Sequence, residues 1–139
     1  MIQPLLTGQL NGRAIRFFRA PNGVVALPWH SCADLVSAAA LPEDGQEYFL
    51  NMTATGPWQD DVRNIETAAG RVLIAPHFVA QGTIGAFRQF GFVRDNVEDA
   101  YCMALQGACD VLLKGKTPEE RIQHIIMRGR HALDREDDV

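Results

Sequence analysis

Ala14-Ile-Arg-Phe-Phe-Arg-Ala-Pro-Asn-Gly-Val-Val-Ala-Leu-Pro-Trp-His-Ser31 and Asp61-Val-Arg-Asn-Ile-Glu-Thr-Ala-Ala-Gly-Arg-Val-Leu-Ile-Ala-Pro-His-Phe78 read as one local structure written twice, 47 positions apart. Without gaps, Arg16 falls on Arg63, Gly23 on Gly70, Val25 on Val72, His30 on His77, Ala33 on Ala80 and Ala39 on Ala86. Those are six identities in the 25 positions of 16–40, where ordinary residue frequencies give roughly two. The matched residues also hold matching roles. In the first copy, residues 14–20 are rich in β-formers, Pro21-Asn22-Gly23 is a turn, and Val24-Val25-Ala26-Leu27 reads as a short buried strand closed by Pro28. Ser31 is placed to cap a helix running to Ala40, which Pro42-Glu43-Asp44-Gly45 ends. In the second copy, residues 62–67 form the first strand, Ala68-Ala69-Gly70 the turn and 71–75 the second strand. Pro76 breaks the chain before a helix over 78–90.

Working outward, Asn11-Gly12 predicts a tight hairpin joining strands over 5–10 and 13–19. The stretch 46–61 reads as a partial strand or helix followed by a loop, with Tyr48, Phe49 and Leu50 buried. Beyond Gly91 the pattern is helical. Asp95-Asn-Val-Glu98 and Thr117-Pro-Glu-Glu120 have the form of capping boxes. A helix over about 96–114 turns Val97, Ala100, Tyr101, Ala104, Ala108, Val111 and Leu112 to one side, and Gly115 ends it. A second, over about 118–134, buries Ile122, Ile125, Ile126 and Leu133 and exposes Arg121, Arg128, Arg130 and Arg135. The expected fold is α+β: a duplicated β-hairpin/strand–helix unit (13–40 and 60–90) with small antiparallel sheets, then two amphipathic helices over 95–135. All of 1–139 reads as one domain, since 139 residues suffice for one core.

Composition narrows the function classes. Thirteen Lys and Arg against seventeen Asp and Glu give a net charge of −4 and a pI near 5.5. Nucleic acid would have to be held by a local patch and not by the whole surface. Cys32, Cys102 and Cys109 are an odd number without framework spacing; the last two lie seven apart on one helical face, as small apolar residues would. The opening residues lack the pattern of a signal peptide, no run has the length of a membrane span, and a cytoplasmic location is expected.

Candidate chemistry is sparse. Phosphate-loop, Gly-x-Ser-x-Gly and Cys-x-x-Cys patterns are missing, and no cofactor or metal is implied. The pairs Asp60-Asp61 and Glu119-Glu120 read as loop and helix cap. Cys32 with a histidine is formally a nucleophile–base pair, but its place in an apolar helix favours a buried small side chain. The repeat sets His30 and His77 at one structural point, either as a paired site or as imidazoles bonded to backbone at strand-to-helix junctions. His124 and His131 read as solvent-facing. Basic residues gather in two groups: Arg13, Arg16 and Arg19 along the first hairpin, interleaved with Phe17 and Phe18, and Lys114, Lys116, Arg121, Arg128 and Arg130 around the last helix. Each is either a solvated face or a patch for phosphates or acids. Trp29 reads as core, and Trp58 as stacking or interface.

The stretch Gly12 to Val36, with its Asn-Gly turn, short strand and helix with early Asp34, resembles the opening of the Bro-N domains of viral and prophage proteins. Ile65-Glu-Thr-Ala-Ala-Gly70-Arg-Val-Leu-Ile74 resembles their second segment. The likeness covers about 8–90. It departs where the usual Trp-Phe before the first helix falls on Val25-Ala26, in the lack of a tryptophan in the second helix, and in the low pI. The resemblance implies a DNA-associated or regulatory protein of a mobile element, with Arg13, Arg16 and Arg19 as contacts. The resulting expectation is a non-enzymatic regulatory module that binds DNA through a basic hairpin, with Arg13, Arg16, Arg19, Arg128 and Arg130 as binding residues. The alternative is an inhibitor or adaptor that binds a host protein through its acidic or aromatic surface. Self-association through the C-terminal helices is a further expectation.

Overall fold

Asn11 and Gly12 both take positive φ, 51° and 84°, and the strands they join, β1 (Leu6–Leu10) and β2 (Arg13–Phe18), pair antiparallel with Leu10 opposite Arg13. This two-residue turn carries the twist of its flanking strands, which is why Asn-Gly specifies it. A 3-10 turn at Pro21–Gly23 follows, then β3 (Trp29–Ser31), α1 (Cys32–Ala38), α2 (Glu43–Thr55), β4 (Arg63–Thr67), β5 (Gly70–Ala75), α3 (His77–Gln89), α4 (Val97–Leu113) and α5 (Pro118–Asp137). The computed structural model describes residues 1–23, 25–92 and 96–137, and the side chains of residues 22 and 129–137 lie outside the description.

The fold is α+β. Among the described residues the strands form one antiparallel five-stranded sheet, in the order β1-β2-β3-β5-β4. Separate small sheets were expected; β3 joins them. It pairs with β2 through Phe17↔His30 and Phe18↔Trp29, and with β5 through His30↔Ala75 and Ser31↔Ile74. The strand expected at Val24–Leu27 is therefore displaced to Trp29–Ser31. Val25, Ala26 and Leu27 are half-buried coil, and Val24 lies outside the described residues. Pairing on both edges outweighs the local β-propensity of the valines.

The order strand–strand–helix does occur twice, as β2–β3–α1 and β4–β5–α3, with β3 and β5 adjacent at the centre. The structural spacing is 45, not 47. Phe18↔Trp29 corresponds to Arg63↔Ile74, and the N-cap Ser31 of α1 to the N-cap Pro76 of α3. The turn glycines, Gly23 (φ 68°) and Gly70 (φ 109°), do match at 47. The first copy thus holds two more residues between glycine and helix, and a gap-free comparison slips out of register there. His30 corresponds to Ala75, and His77 to Cys32. The two histidines do not occupy matching junctions.

The helices cover one face of the sheet. Leu10, Ile15 and Phe17 pack with Leu35 and Val36 of α1, Phe49 of α2, Ala80, Ile84 and Phe87 of α3, and Tyr101, Leu105 and Ala108 of α4. A Cβ on Gly8 would lie 3.4 Å from the Ala104 Cβ, so glycine lets α4 sit directly on β1. The opposite face buries Phe18, Val72 and Ile74 beside Trp29 and Ile65.

Other expectations are corrected. Pro42-Glu43-Asp44-Gly45 starts α2 instead of only stopping α1: Pro42 is the N-cap, and Glu43 and Asp44 favour the positive end of the helix. Of its aromatics, Phe49 is buried but Tyr48 is 62% exposed. Cys109 is buried and Cys102 exposed, so the two do not share one environment. Thr117 and Glu120 form the expected capping box, each side chain 3.2 Å from the other's backbone nitrogen. Asp95, and with it the other expected capping box, lies outside the described residues; Glu98 accepts from Arg88 Nη1 at 2.7 Å. On α5, Arg121 is exposed as expected, but Ile122, Ile125 and Ile126 are 59%, 51% and 62% exposed and Arg128 is half-buried, against the expected facing. Gly115 (φ 81°) redirects the chain so that α5 turns its His124/Arg128 side toward the body. Leu133 and Arg135 fall among the side chains outside the description. Among the described residues no helix is long and apolar enough to cross a membrane.

Candidate functional site

The alternation of β2 separates the three hairpin arginines. Arg13 is exposed, its Nη1 donating to the Ser37 carbonyl at 3.5 Å, near the end of α1. Arg16 is half-buried and bound by Asp34 through Nε–Oδ2 at 2.8 Å and Nη2–Oδ1 at 3.1 Å, while its backbone nitrogen donates to Oδ2 at 2.8 Å. Those hydrogen bonds raise the guanidinium pKa against the opposing effect of burial. Asp34 is itself anchored, since its backbone nitrogen donates to the Ser31 hydroxyl at 3.2 Å. The Arg16–Asp34 fork therefore ties α1 to β2, and its charge is answered inside the molecule.

Arg19, exposed just past β2, goes elsewhere. It lines a cleft of about 200 Å³ with Gly23, Ala26, Leu112, Lys116 and His124. The two basic groups read from the sequence thus meet, but only through Arg19. His124 is half-buried, and its pKa is lowered first by burial and then by the nearby charges of Arg128 and Lys116. Arg128 reaches Cys109, with Nη1 at 3.5 Å from Sγ. Arg121 donates from Nε to the Lys116 carbonyl at 3.2 Å, and Lys114 is exposed. The side chains of Arg130 and His131 lie outside the described residues. His124 is not simply solvent-facing: its Nδ1 is buried without a hydrogen-bond partner.

His30 and His77 converge on a residue that sequence reasoning did not single out as polar, Tyr101 of α4. The Tyr101 hydroxyl lies 3.4 Å from His30 Nδ1, and the His30 ring meets the tyrosine edge-on, with centroids 5.7 Å apart. His77 stacks on Tyr101 at 5.8 Å and 11°. His30 and Tyr101 are each only 1% exposed. Burial, and after it the neighbouring His77, pushes His30 down to about 3; burial also lowers His77 and raises the Tyr101 phenol. All three are neutral near pH 7. Phenol and imidazole can each donate to the other across this contact, and the His30 tautomer sets which does. The sequence signal was the tyrosine on the apolar side of α4, since a buried hydroxyl needs a partner.

Burial pushes the Cys32 thiol up to about 12, among Val62, Ala75 and Val79. It lacks the thiolate character that a nucleophile requires. Among the described residues, no three His, Cys, Asp or Glu side chains are grouped as metal ligands would be. Trp58 is half-buried against α3, where a Cβ on Gly82 would come within 2.7 Å of its ring.

No protein-family model, curated protein or solved structure matches this chain.

Proposed function

We propose that the protein is a non-enzymatic regulatory module of mobile-element type that binds duplex DNA, and that its contact surface is the corner where Arg19 joins the start of α5. One observation carries this reading: Arg19, Lys116 and His124 line one cleft, with Arg128 beside them. The charge distribution supports it. Residues 114–130 hold five Lys and Arg against two Glu, in a chain of net charge −4. A local basic surface on an acidic body orients a polyanion and restricts where it binds. The position of β3 also brings the chain nearer to the Bro-N pattern. The tryptophan that leads into the first helix is Trp29, in Trp29-His30-Ser31 immediately before α1. The hairpin as a unit is not the reading surface, because Arg16 is committed to Asp34.

Fluorescence anisotropy with a short labelled duplex tests this reading. Arg19→Ala and Lys116→Ala are expected to weaken binding, and Arg13→Ala to leave it nearly unchanged. No binding by the wild-type chain at about 50 mM salt, where phosphate contacts are strong, contradicts the reading.

A second reading rests on α5. Its exposed Ile122, Ile125 and Ile126 form a continuous apolar stripe at helical spacing. Such a stripe suits a protein partner, and self-association places two copies of it together.

A further inference from the structure

The cleft at Arg19 has a structure of its own beyond local basicity. It draws donors from three separate pieces of chain: Arg19 after β2, Lys116 in the α4–α5 connection, and His124 nearly two turns into α5. Gly23, Ala26 and Leu112 complete the lining, so the donors share the pocket with apolar neighbours. Among the described residues, no carboxylate lines the cleft. This is the opposite of Arg16, whose charge is answered at 2.8 Å by Asp34. Elsewhere the described cations Arg71 and Arg88 are likewise paired, with Glu66 and Glu98. Arg19 and Lys116 line the same cleft, and like charges held close repel unless an anion joins them.

His124 adds a directional element. Its Nδ1 is buried and unbonded. A proton there would be an unpaired buried donor, so the neutral ring carries its proton on Nε2. Nε2–H is then the donor the ring has available, and His124 is a lining residue of the cleft. A guanidinium fork, an ammonium and an imidazole N–H lining about 200 Å³ suit a tetrahedral oxyanion, which has more acceptor positions to share among three donors than a flat carboxylate.

We propose that this cleft is a binding site for a single phosphoryl group, held by Arg19, Lys116 and the Nε2–H of His124. The inference deepens the DNA reading, since a backbone phosphate is one source of the group; a free phosphate or small phosphomonoester is the other. The groups facing His124 are Arg19 across the cleft, Lys116 from the connection and Arg128 along α5. All are cationic, and a bound phosphoryl group reverses the field they create.

The test is NMR titration of the full chain with inorganic phosphate at constant ionic strength, following the His124 ring resonances, alongside titration with a short duplex. The expected result is a saturable shift at His124, a rise of its pKa with phosphate, and loss of affinity by about tenfold in Arg19→Ala and in Lys116→Ala, the size of one charged hydrogen bond. Both replacements are at surface positions, and amide spectra establish that the fold persists. The proposal is overturned if phosphate up to about a thousand times the protein concentration leaves the His124 resonances unmoved, or if neither replacement changes the titration. Duplex binding without phosphate binding overturns the phosphoryl site and leaves the DNA reading standing. Phosphate binding without duplex binding upholds the site and contradicts the DNA reading.

Discussion

Tyr101 and His30 meet 3.4 Å apart in the core, although 71 residues separate them in the chain. The contact binds α4 to the central strand of the sheet and keeps an imidazole neutral where charging it would be costly. With His77 stacked on the same ring, the core contains two histidines whose pKa values are below the ordinary value.

A pH dependence follows, with a definite sign. In the unfolded chain each histidine titrates near 6.5, whereas folded His30 titrates near 3. The contribution is present in full above pH 6.5 and is lost as pH falls toward 3, at up to about 1.4 kcal/mol per pH unit for each group held neutral. Urea unfolding between pH 7 and 4 is expected to show this loss, with a shallower slope in His30→Phe. An identical slope in the variant contradicts the assignment.

Arg16 and Arg19 are three residues apart and are expected to separate cleanly. Arg16→Ala leaves the partly buried Asp34 carboxylate without its fork and is expected to cost about 1–3 kcal/mol of stability. Arg19→Ala is expected to change stability by less than about 0.5 kcal/mol while weakening duplex binding. Thermal unfolding and anisotropy on the same two samples check both halves.

Gly82 allows the Trp58 ring to lie against α3. Gly82→Ala brings a methyl group within 2.7 Å of the ring and is expected to cost about 1–3 kcal/mol through overpacking, with a shift in tryptophan emission. Gly85→Ala, three residues along the same helix with open space around its Cβ position, is expected to stabilise by a few tenths of a kcal/mol up to about 1 kcal/mol.

Much of the fold was legible where short-range chemistry decides it. Asn11-Gly12, the Gly70 turn and the Thr117/Glu120 box act within four residues, so local sequence suffices. The position of β3 was not legible, because Val24 and Val25 have the better local propensity while Trp29–Ser31 gains two neighbours that exist only in the assembled sheet. The start of α2 was hidden because proline and acidic residues serve helix starts as well as stops. Of the candidate site, both basic groups were visible as composition. Their meeting through Arg19 alone, and the withdrawal of Arg16 by Asp34, depend on contacts 18 and more residues apart. The histidines do meet, on Tyr101, but the symmetry that pointed to them holds for the turn glycines and not for them.

The exposed stripe of α5 makes a separate prediction. Ile122→Glu with Ile126→Glu is expected to leave the unfolding temperature nearly unchanged, since exposed positions contribute little to folding. If two copies associate through α5, light scattering will show dimer in the wild-type chain and monomer in the variant. Equal masses in the two samples contradict self-association through this stripe.

The central claim is that DNA is held at the corner of Arg19, Lys116 and Arg128. It is tested most directly by the slope of log affinity against log salt for a short duplex. The account predicts a clearly negative slope for the wild-type chain, about 0.9 for each phosphate neutralised, made shallower in each single alanine variant at these three positions, with Arg13→Ala unchanged. A wild-type slope near zero, or one that the three replacements leave intact, contradicts it.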